Sequence, residues 1–189
     1  LRSLGRRSLI EKSATGFTQQ PVVMEYMSEQ LIEQVCEEIA TEAVGLLMSH
    51  ALIKAQAKDY IQASQVRVIL KPIADRLHTT SGHKQAIEQK LRKTLCRLRE
   101  EFSTSPGYGG GNIINLLCQL KTNLTGYDFS ELAVWQADLR NVNLHSVNFA
   151  YSNLAQSVFA ETLGSILSVT FSPDSKFLAT GDTNGEVCL

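Results

Sequence analysis

Residues 122–161 read TNLTG YDFSE LAVWQ ADLRN VNLHS VNFAY SNLAQ SVFAE, eight consecutive blocks of five residues. The third position of every block is apolar, and these eight repeat centres are Leu124, Phe129, Val134, Leu139, Leu144, Phe149, Leu154 and Phe159. The residue before the centre is Asn or Asp in six blocks: Asn123, Asp128, Asp138, Asn143, Asn148 and Asn153. Because the period holds at two adjacent positions, it argues against an irregular loop with chance spacing.

A period of five fits neither of the two regular elements. On an α-helix, each step of five residues turns about 140° beyond a full turn, so the centres would scatter around the helix. On a strand, successive centres would alternate between the two faces, because five is odd. We therefore expect a solenoid whose chain turns a corner every five residues, with the centres stacked in an apolar column and Asn or Asp serving the corners.

This stretch resembles a pentapeptide-repeat segment, whose pattern is a small residue, Asn or Asp, Leu or Phe, and two variable positions. Ala137-Asp138-Leu139 and Ser152-Asn153-Leu154 follow the pattern, whereas Tyr127, Leu132 and Val134 depart from it. The resemblance implies a right-handed, four-sided β-helix with four pentapeptides per coil, so that the eight units would make about two coils. Each coil of such a solenoid is covered only by its neighbours, so both ends need caps.

The whole chain has 189 residues, 43% of them apolar, and a formal net charge of −1 at pH 7. It could hold one or two modest cores, and its charge gives no general reason to expect nucleic acid or a membrane as a partner. No apolar run reaches the roughly 18 residues that cross a bilayer, and the sequence begins at Leu1 rather than Met, as expected of an internal piece. The cysteines lack paired spacing, which predicts free buried thiols and a cytoplasmic location; they are Cys36, Cys96, Cys118 and Cys188.

Residues 1–27 have the composition of a helix end followed by a β-hairpin, with strand-forming residues from Phe17 to Tyr26. That order is typical of the last part of a winged-helix unit. Four basic residues give this corner a local positive charge: Arg2, Arg6, Arg7 and Lys12. Two interpretations stay open, since the basic side chains could contact DNA phosphates or be solvated or paired where the unit packs on a neighbouring domain.

Residues 28–101 are predicted to form a helical connector. Ser28 is a candidate N-cap for its first helix, and Pro72 predicts a kink or break in a helix from about Tyr60 to Leu77. The last helix of the connector, over 83–101, carries four apolar residues at helical spacing: Ile87, Leu91, Leu95 and Leu98.

Residues 102–111 contain Pro106 and four glycines, which predict a flexible linker. A phosphate-binding loop is not expected, because no Gly-Lys-Ser/Thr follows the glycines. Residues 112–121 then form a short predicted helix with an apolar face that includes Ile113, Leu116 and Leu120. Because this helix comes directly before the repeat, it is the expected cap of the solenoid.

Residues 164–189 change to strand periodicity. Val169 and Phe171 alternate, a second strand is predicted around Leu178 and a third from Val187, and Asn184-Gly185 is a hairpin signal. The runs Ser-Val-Thr-Phe-Ser-Pro-Asp and Leu-Ala-Thr-Gly resemble the opening of a WD-repeat propeller blade. Ser165 and Thr183 depart from that family's pattern.

The order of these segments resembles an internal or C-terminal fragment of a cyanobacterial-type signal-transduction ATPase of the NB-ARC class (AP-ATPase or STAND) with pentapeptide and WD repeats. The implied fold is multidomain α and β: a winged-helix remnant, a helical connector, a short right-handed pentapeptide β-helix over 122–161 and the start of a β-propeller blade. In that family the nucleotide-binding module lies upstream, so no catalytic or cofactor-binding residue is carried over to this chain.

The resemblance implies a non-catalytic connector or scaffold that links an upstream nucleotide switch to a downstream propeller. Protein partners or neighbouring domains of the same molecule are expected, and no membrane, cofactor or metal site is predicted. The histidines have no Cys or carboxylate partners at metal spacing and are expected to be surface or ordinary packed residues; they are His50, His78, His83 and His145. The alternative function is a DNA-binding regulator that acts through the basic corner.

Overall fold

The computed structural model of the protein describes residues 10–13, 16–159, 166–174, 178–182 and 187–188. The described part comprises a short hairpin, a helical region, the repeat segment (residues 122–159) and a three-stranded sheet. Some sequence-based expectations lie outside it: the helix end with Arg2, Arg6 and Arg7, the Asn184-Gly185 turn, and the last residues of the repeat, 160–161.

A β-hairpin precedes the first helix. Strand β1 (Ile10–Ser13) pairs antiparallel with strand β2 (Gly16–Gln19). Ser13 lies opposite Gly16, so the connection between the strands has two residues.

Helix α1 begins at Pro21 and ends at Thr41. The predicted strand from Phe17 to Tyr26 is therefore wrong beyond the end of β2, and Ser28, the predicted N-cap, lies inside the helix. Proline suits the first helical position, because its φ is already fixed near the helical value and its missing N–H would have no partner there. The apolar composition after Pro21 gave no sign of this helix start.

Five further helices follow in the described part of the chain: α2 (Gly45–Ser49), α3 (Asp59–Gln65), α4 (Lys71–Ser81), α5 (Lys84–Phe102) and α6 (Gly109–Gln119). The apolar faces of α2, α4, α5 and α6 meet in a common core, whereas the buried residue of α3 is Gln62. The face predicted for α5 is confirmed, because all four of its residues are buried: Ile87, Leu91, Leu95 and Leu98.

Pro72 shapes the backbone between α3 and α4. Val66–Leu70 form a π-helical turn directly before α4, so the chain stays helical from Asp59 to Ser81. In a regular α-helix, the Pro72 ring would clash with the carbonyl of Val68 and could offer it no N–H. A wider turn relieves both problems. The predicted kink or break thus takes the form of a local widening.

The prediction of a flexible linker over residues 102–111 is wrong for the last three of these residues. Gly109, Gly110 and Gly111 form the first turn of α6 and are buried. Residues before them are also fixed, since the Thr104 N–H donates to the carbonyl of Glu131 at 2.9 Å. Glycine composition predicts a loop locally, but here it permits a close contact between α6 and the repeat segment.

The repeat segment returns on itself after 20 residues. Parallel backbone pairs join Asp128 to Asn148, Ala133 to Asn153 and Asp138 to Val158. The N–H groups of the repeat centres Phe129, Val134 and Leu139 donate to the carbonyls of these same partners at 2.7–2.8 Å. Four blocks of five therefore make one circuit, and we call residues 122–141 the first circuit and residues 142–159 the second circuit.

Every corner of the circuits has the same backbone geometry. Eight residues at a spacing of five, from Lys121 to Gln156, have positive φ between 52° and 76°. In all six blocks with Asn or Asp before the centre, that side chain accepts a hydrogen bond of 2.9–3.3 Å from the N–H two residues further on. The predicted role of Asn and Asp at the corners is thus confirmed.

A three-stranded antiparallel sheet follows the repeat segment. Its strands lie in the order β3 (Ile166–Phe171), β4 (Leu178–Asp182) and β5 (Val187–Cys188). Phe171 pairs with Leu178, and a bulge interrupts the register between Ile166 and Ser168. The three strands that the sequence predicts in this part of the chain are confirmed at these positions.

Candidate functional site

The helical region and the repeat segment share one apolar core, which extends from Val35 in α1 to Leu139 in the first circuit. Burial of the repeat centres follows their distance from the helices. Leu144, Phe149 and Leu154 in the second circuit are half-buried against this core, whereas Phe159 is 48% exposed. The four centres of the first circuit are fully buried: Leu124, Phe129, Val134 and Leu139. In the described part of the chain, the helices therefore cover the first circuit and leave the second more open.

Aromatic rings connect the two circuits through this core. Phe129 and Phe149, one circuit apart, stack with ring centroids 5.6 Å apart and an interplanar angle of 16°. Tyr127 stacks on Phe129 at 6.0 Å. Such offset pairs each add about 0.5–1.5 kcal/mol beyond the apolar area they bury.

Helix α6 lies directly on the first circuit. The N–H of Gly110 donates to the carbonyl of Ala133 at 3.2 Å. A Cβ added to Gly111 would lie 1.9 Å from the carbonyl oxygen of Trp135. The three glycines of α6 therefore form a packing surface, because a side chain at Gly111 would push the helix away from the repeat segment.

Asn112 on α6 holds the chain that leaves α2. Its Nδ2 donates to the carbonyls of Leu47 at 2.8 Å and His50 at 2.7 Å, and its Oδ1 accepts from the N–H of Leu52 at 2.9 Å. Both ends of this buried amide thus have partners, which removes the cost of burying it.

Asn115 and Gln136 form the second half of this network, towards the repeat segment. Asn115 Nδ2 donates to the carbonyl of Gln136 and its Oδ1 accepts from the N–H of Asp138, both at 2.9 Å. Gln136 Oε1 accepts from the N–H of Ala55 at 2.8 Å. Sequence reasoning missed these three amides; the available signal was two Asn residues three positions apart in an otherwise apolar helix.

A charged cluster joins α3 to the end of the first circuit. Arg140 Nε donates to Asp138 Oδ1 at 2.8 Å, and Arg140 Nη1 lies 3.3 Å from Asp59 Oδ1. Gln62 of α3 donates to Asp138 Oδ2 at 2.5 Å and accepts from Arg140 Nη2. Hydrogen bonding to Asp138 raises the pKa of the Arg140 guanidinium, which stays protonated.

Two arginines of α5 contact the first circuit on its other side. The Arg92 guanidinium lies 3.6 Å from the centre of the Tyr127 ring, a cation–π contact. Arg99 Nη2 donates to the carbonyl of Asp128 at 2.7 Å. Hydrogen bonds from Ser130 hold the pKa of Asp128 below its usual value, and Arg99 adds to this effect.

The metal-binding residue types do not converge in the described part of the chain. All four histidines are exposed, as predicted for surface residues, and the described residues contain no group of three or more His, Cys, Asp or Glu that could hold a metal ion. The prediction of buried cysteines is wrong for Cys96, which is exposed because it lies on the outer face of α5. Burial raises the pKa of the half-buried Cys118 thiol to about 11.

None of the helices in the described ranges has the length and apolar content that a membrane crossing requires.

The three-stranded sheet offers an apolar surface. Leu167, Val169 and Phe171 are all exposed, and alternation places Val169 and Phe171 on one face of β3, while Leu167 lies at the bulge. An exposed apolar stripe of this kind is typical of a surface that packs against another protein element.

Curated relatives of the chain include two proteins from Nostoc sp. The first, the uncharacterized WD repeat-containing protein alr2800, is 48% identical over 220 residues that cover 99% of this chain and 18% of that protein. The second, the uncharacterized WD repeat-containing protein alr3466, is 34% identical over 164 residues that cover 86% of this chain and 10% of that protein. No family model and no solved structure matches the chain.

These relatives support WD repeats in this chain and a cyanobacterial origin. The chain spans less than a fifth of the length of either relative. The candidate functional site is the set of exposed apolar side chains on β3, of the kind that packs against another protein element.

Proposed function

We propose that this chain is the connector segment of a signal-transduction NTPase of the NB-ARC class, and that it joins an upstream nucleotide switch to a downstream WD-repeat propeller. The β1–β2 hairpin belongs to a winged-helix remnant, and the repeat segment is a right-handed pentapeptide β-helix of two coils. The segment works in the cytoplasm without a catalytic site of its own, and binds protein partners or neighbouring domains.

The observation that carries this proposal is the continuous core between the helices and the first circuit. A connector must transmit position, so its parts must move as one body. Buried amides on Asn112, Asn115 and Gln136 fix the relative position of α2, α6 and the repeat segment at several points. The Arg140 cluster and the α5 arginines add polar and cation–π contacts between the helices and the repeat segment on two further sides. The exposed apolar side chains of β3 then support the packing of a further blade against the sheet.

The rigid body can be tested by a distance measurement with spin labels. Cys96 on α5 and an introduced Tyr151→Cys in the second circuit are both exposed positions, and the other cysteines are replaced by Ala. We expect one narrow distance distribution in the 189-residue chain. The same distribution is expected in a longer protein that includes the upstream region, with and without ATP. A broad distribution, or one that changes with ATP, would contradict a rigid connector.

ATP binding and hydrolysis test the placement of the nucleotide switch. Activity is expected in the longer protein and not in the 189-residue chain, and activity in the short chain would contradict a non-catalytic role. The DNA-binding alternative predicts a steeply salt-dependent affinity of the whole chain for duplex DNA. That affinity would fall with Arg6→Ala and Arg7→Ala, whereas the connector proposal expects no such binding.

A further inference from the structure

The second circuit ends the repeat segment with an edge of backbone groups that lack partners. The Phe129 N–H donates to the second circuit, and the Tyr127 carbonyl accepts from it. Their equivalents one circuit later are the Phe149 N–H and the Val147 carbonyl, and neither has a backbone partner in the described part of the chain. The next block repeats this arrangement at the N–H of Leu154. The edge of residues 142–159, which we call the open end, thus presents the donors and acceptors of an edge strand.

Apolar side chains at the open end are incompletely covered. Phe149 of the second circuit stacks on Phe129, but Phe129 is fully buried whereas Phe149 is only half-buried. Phe159, the last repeat centre, is 48% exposed. A further layer on the second circuit would bury these rings, as the second circuit buries Phe129. The open end therefore fits an occupant that supplies extended backbone and apolar side chains.

The open end carries no formal charge. Residues 141–160 contain no Asp, Glu, Lys or Arg, whereas the first circuit contains four such residues: Asp128, Glu131, Asp138 and Arg140. Exposed edge strands usually carry charged side chains, which prevent pairing between copies of the same protein. The open end has no such protection, and it offers no ion pair to a charged partner. Its neutrality favours a second copy of the chain, because that copy brings an equally neutral edge.

The helices leave one end of the repeat segment for such a contact. They cover the first circuit, whose four centres are fully buried, so the second circuit is the uncovered end within the ranges that the structure describes. Contact between two such ends uses the same surface on both copies, and it closes at two copies instead of growing into a filament. Each edge carries both donors and acceptors, so antiparallel edges related by a two-fold axis can satisfy each other.

We propose that the open end binds the open end of a second copy of this chain, so that two repeat segments stack end to end in a symmetric dimer. The Phe149 N–H and the Val147 carbonyl would gain partners in the other copy, and Phe159 would be covered. Because the contact is confined to one circuit, we expect a weak dimer with a Kd on the order of 10 μM. The proposal assigns an interaction surface separate from the β3–β5 sheet, and it does not depend on the connector function.

Sedimentation equilibrium of the 189-residue chain tests the dimer. We expect a reversible equilibrium between monomer and dimer over concentrations from about 1 to about 200 μM. Growth into assemblies larger than the dimer would contradict contact between two open ends. A chain that stays monomeric at the highest concentration would overturn the proposal and leave the open end to a strand of a different protein.

Phe159→Asp tests the open end directly. The monomer should tolerate the carboxylate at this half-exposed position, whereas the dimer would bring two carboxylates together and bury them. We expect the Kd of the dimer to rise at least about tenfold, with the fold of the monomer checked by circular dichroism.

A pair of lysine substitutions gives an independent test if Phe159→Asp unfolds. Ala155 in the second circuit and Thr125 in the first circuit are both exposed, and both directly follow a repeat centre. Ala155→Lys is expected to raise the Kd about threefold at low salt, because like charges would meet across the two-fold axis. Thr125→Lys should not change the Kd, and equal effects of the two substitutions would overturn the proposal.

Two other exposed apolar positions distinguish the open end from other surfaces. Tyr26 on α1 is 60% exposed and Phe171 on β3 is 67% exposed. Tyr26→Ser and Phe171→Asp should leave the Kd unchanged. Loss of the dimer with either of these substitutions, but not with Phe159→Asp, would place the contact on another surface and overturn the proposal.

Discussion

Gly111 in α6 and Trp135 in the first circuit approach so closely that a methyl group on Gly111 would meet the Trp135 carbonyl oxygen at 1.9 Å. Helix propensity alone predicts that Gly111→Ala stabilises α6 by up to about 1 kcal/mol. Packing predicts the opposite, because backbone atoms on both sides would have to move. We expect Gly111→Ala to lower the free energy of unfolding by about 3 kcal/mol, measured by urea denaturation.

Gly82 provides the control for this substitution. It ends α4 with φ +70°, and a Cβ added there would meet nothing within 4 Å. Gly82→Ala should therefore cost about 1 kcal/mol through backbone strain alone. Equal effects of the two substitutions would show that α6 does not pack on the repeat segment as described.

The repeat centres are expected to differ in their contribution to stability. Phe129 is fully buried and Phe159 is 48% exposed. We expect Phe129→Ala to cost about 4 kcal/mol and Phe159→Ala about 1 kcal/mol, both from urea denaturation. The stacked column also predicts a large loss of stability for Phe149→Asp. This loss should be smaller than that of Phe129→Asp, because a carboxylate at half-buried Phe149 can reach water. Similar costs at Phe129 and Phe159 would contradict the graded burial.

The five-residue period carried most of the information about the repeat segment. It identified the eight centres, and it predicted that Asn or Asp serves the corners, which Asn123 does through a hydrogen bond from the N–H of Thr125. It could not predict that the first circuit is more buried than the second, because that difference arises from helices distant in sequence. Handedness and the two-coil β-helix stay predictions from the resemblance.

The errors came from segments whose structure depends on tertiary contacts. The glycines of α6 have the local composition of a loop, and only the approach to Trp135 explains their presence in a helix. The start of α1 at Pro21 was missed because the apolar residues after it are also common in strands. Buried amides such as Asn115 gain their role from carbonyl and N–H groups more than 20 residues away.

The Arg140 cluster contains one carboxylate near the protein interior and one in solvent. The Asp138 side chain is 25% exposed and the Asp59 side chain is 92% exposed. Water screens an exposed pair, so a double-mutant cycle with Arg140→Gln should give a coupling below about 0.5 kcal/mol for Asp59→Asn. For Asp138→Asn we expect about 1–2 kcal/mol, because this pair is hydrogen-bonded and shares Gln62. A larger coupling to Asp59 than to Asp138 would contradict this geometry.

The substitution Asp128→Asn removes the negative charge at one corner of the repeat segment and keeps the backbone geometry of that corner. Asparagine occupies the equivalent position in other blocks and keeps the hydrogen bond from the N–H two residues on, as Asn148 does to Ala150. The folded-state pKa of Asp128 is lowered, so its ionised form adds stability above the unfolded value of about 3.9, and this stability is lost as the pH falls through the folded value.

We therefore expect the wild type to exceed Asp128→Asn in free energy of unfolding at pH 7, by less than about 1 kcal/mol because the side chain is half-exposed. The difference should shrink at an acid pH below the unfolded value of about 3.9, as Asp128 takes up a proton and becomes neutral like asparagine. Urea denaturation at the two pH values measures this, and Glu100→Gln, another exposed carboxylate that bonds no corner of the repeat segment, is the control. A difference that persists unchanged at low pH would place the effect in the corner geometry, because protonation would then have removed no favourable interaction with Ser130 or Arg99.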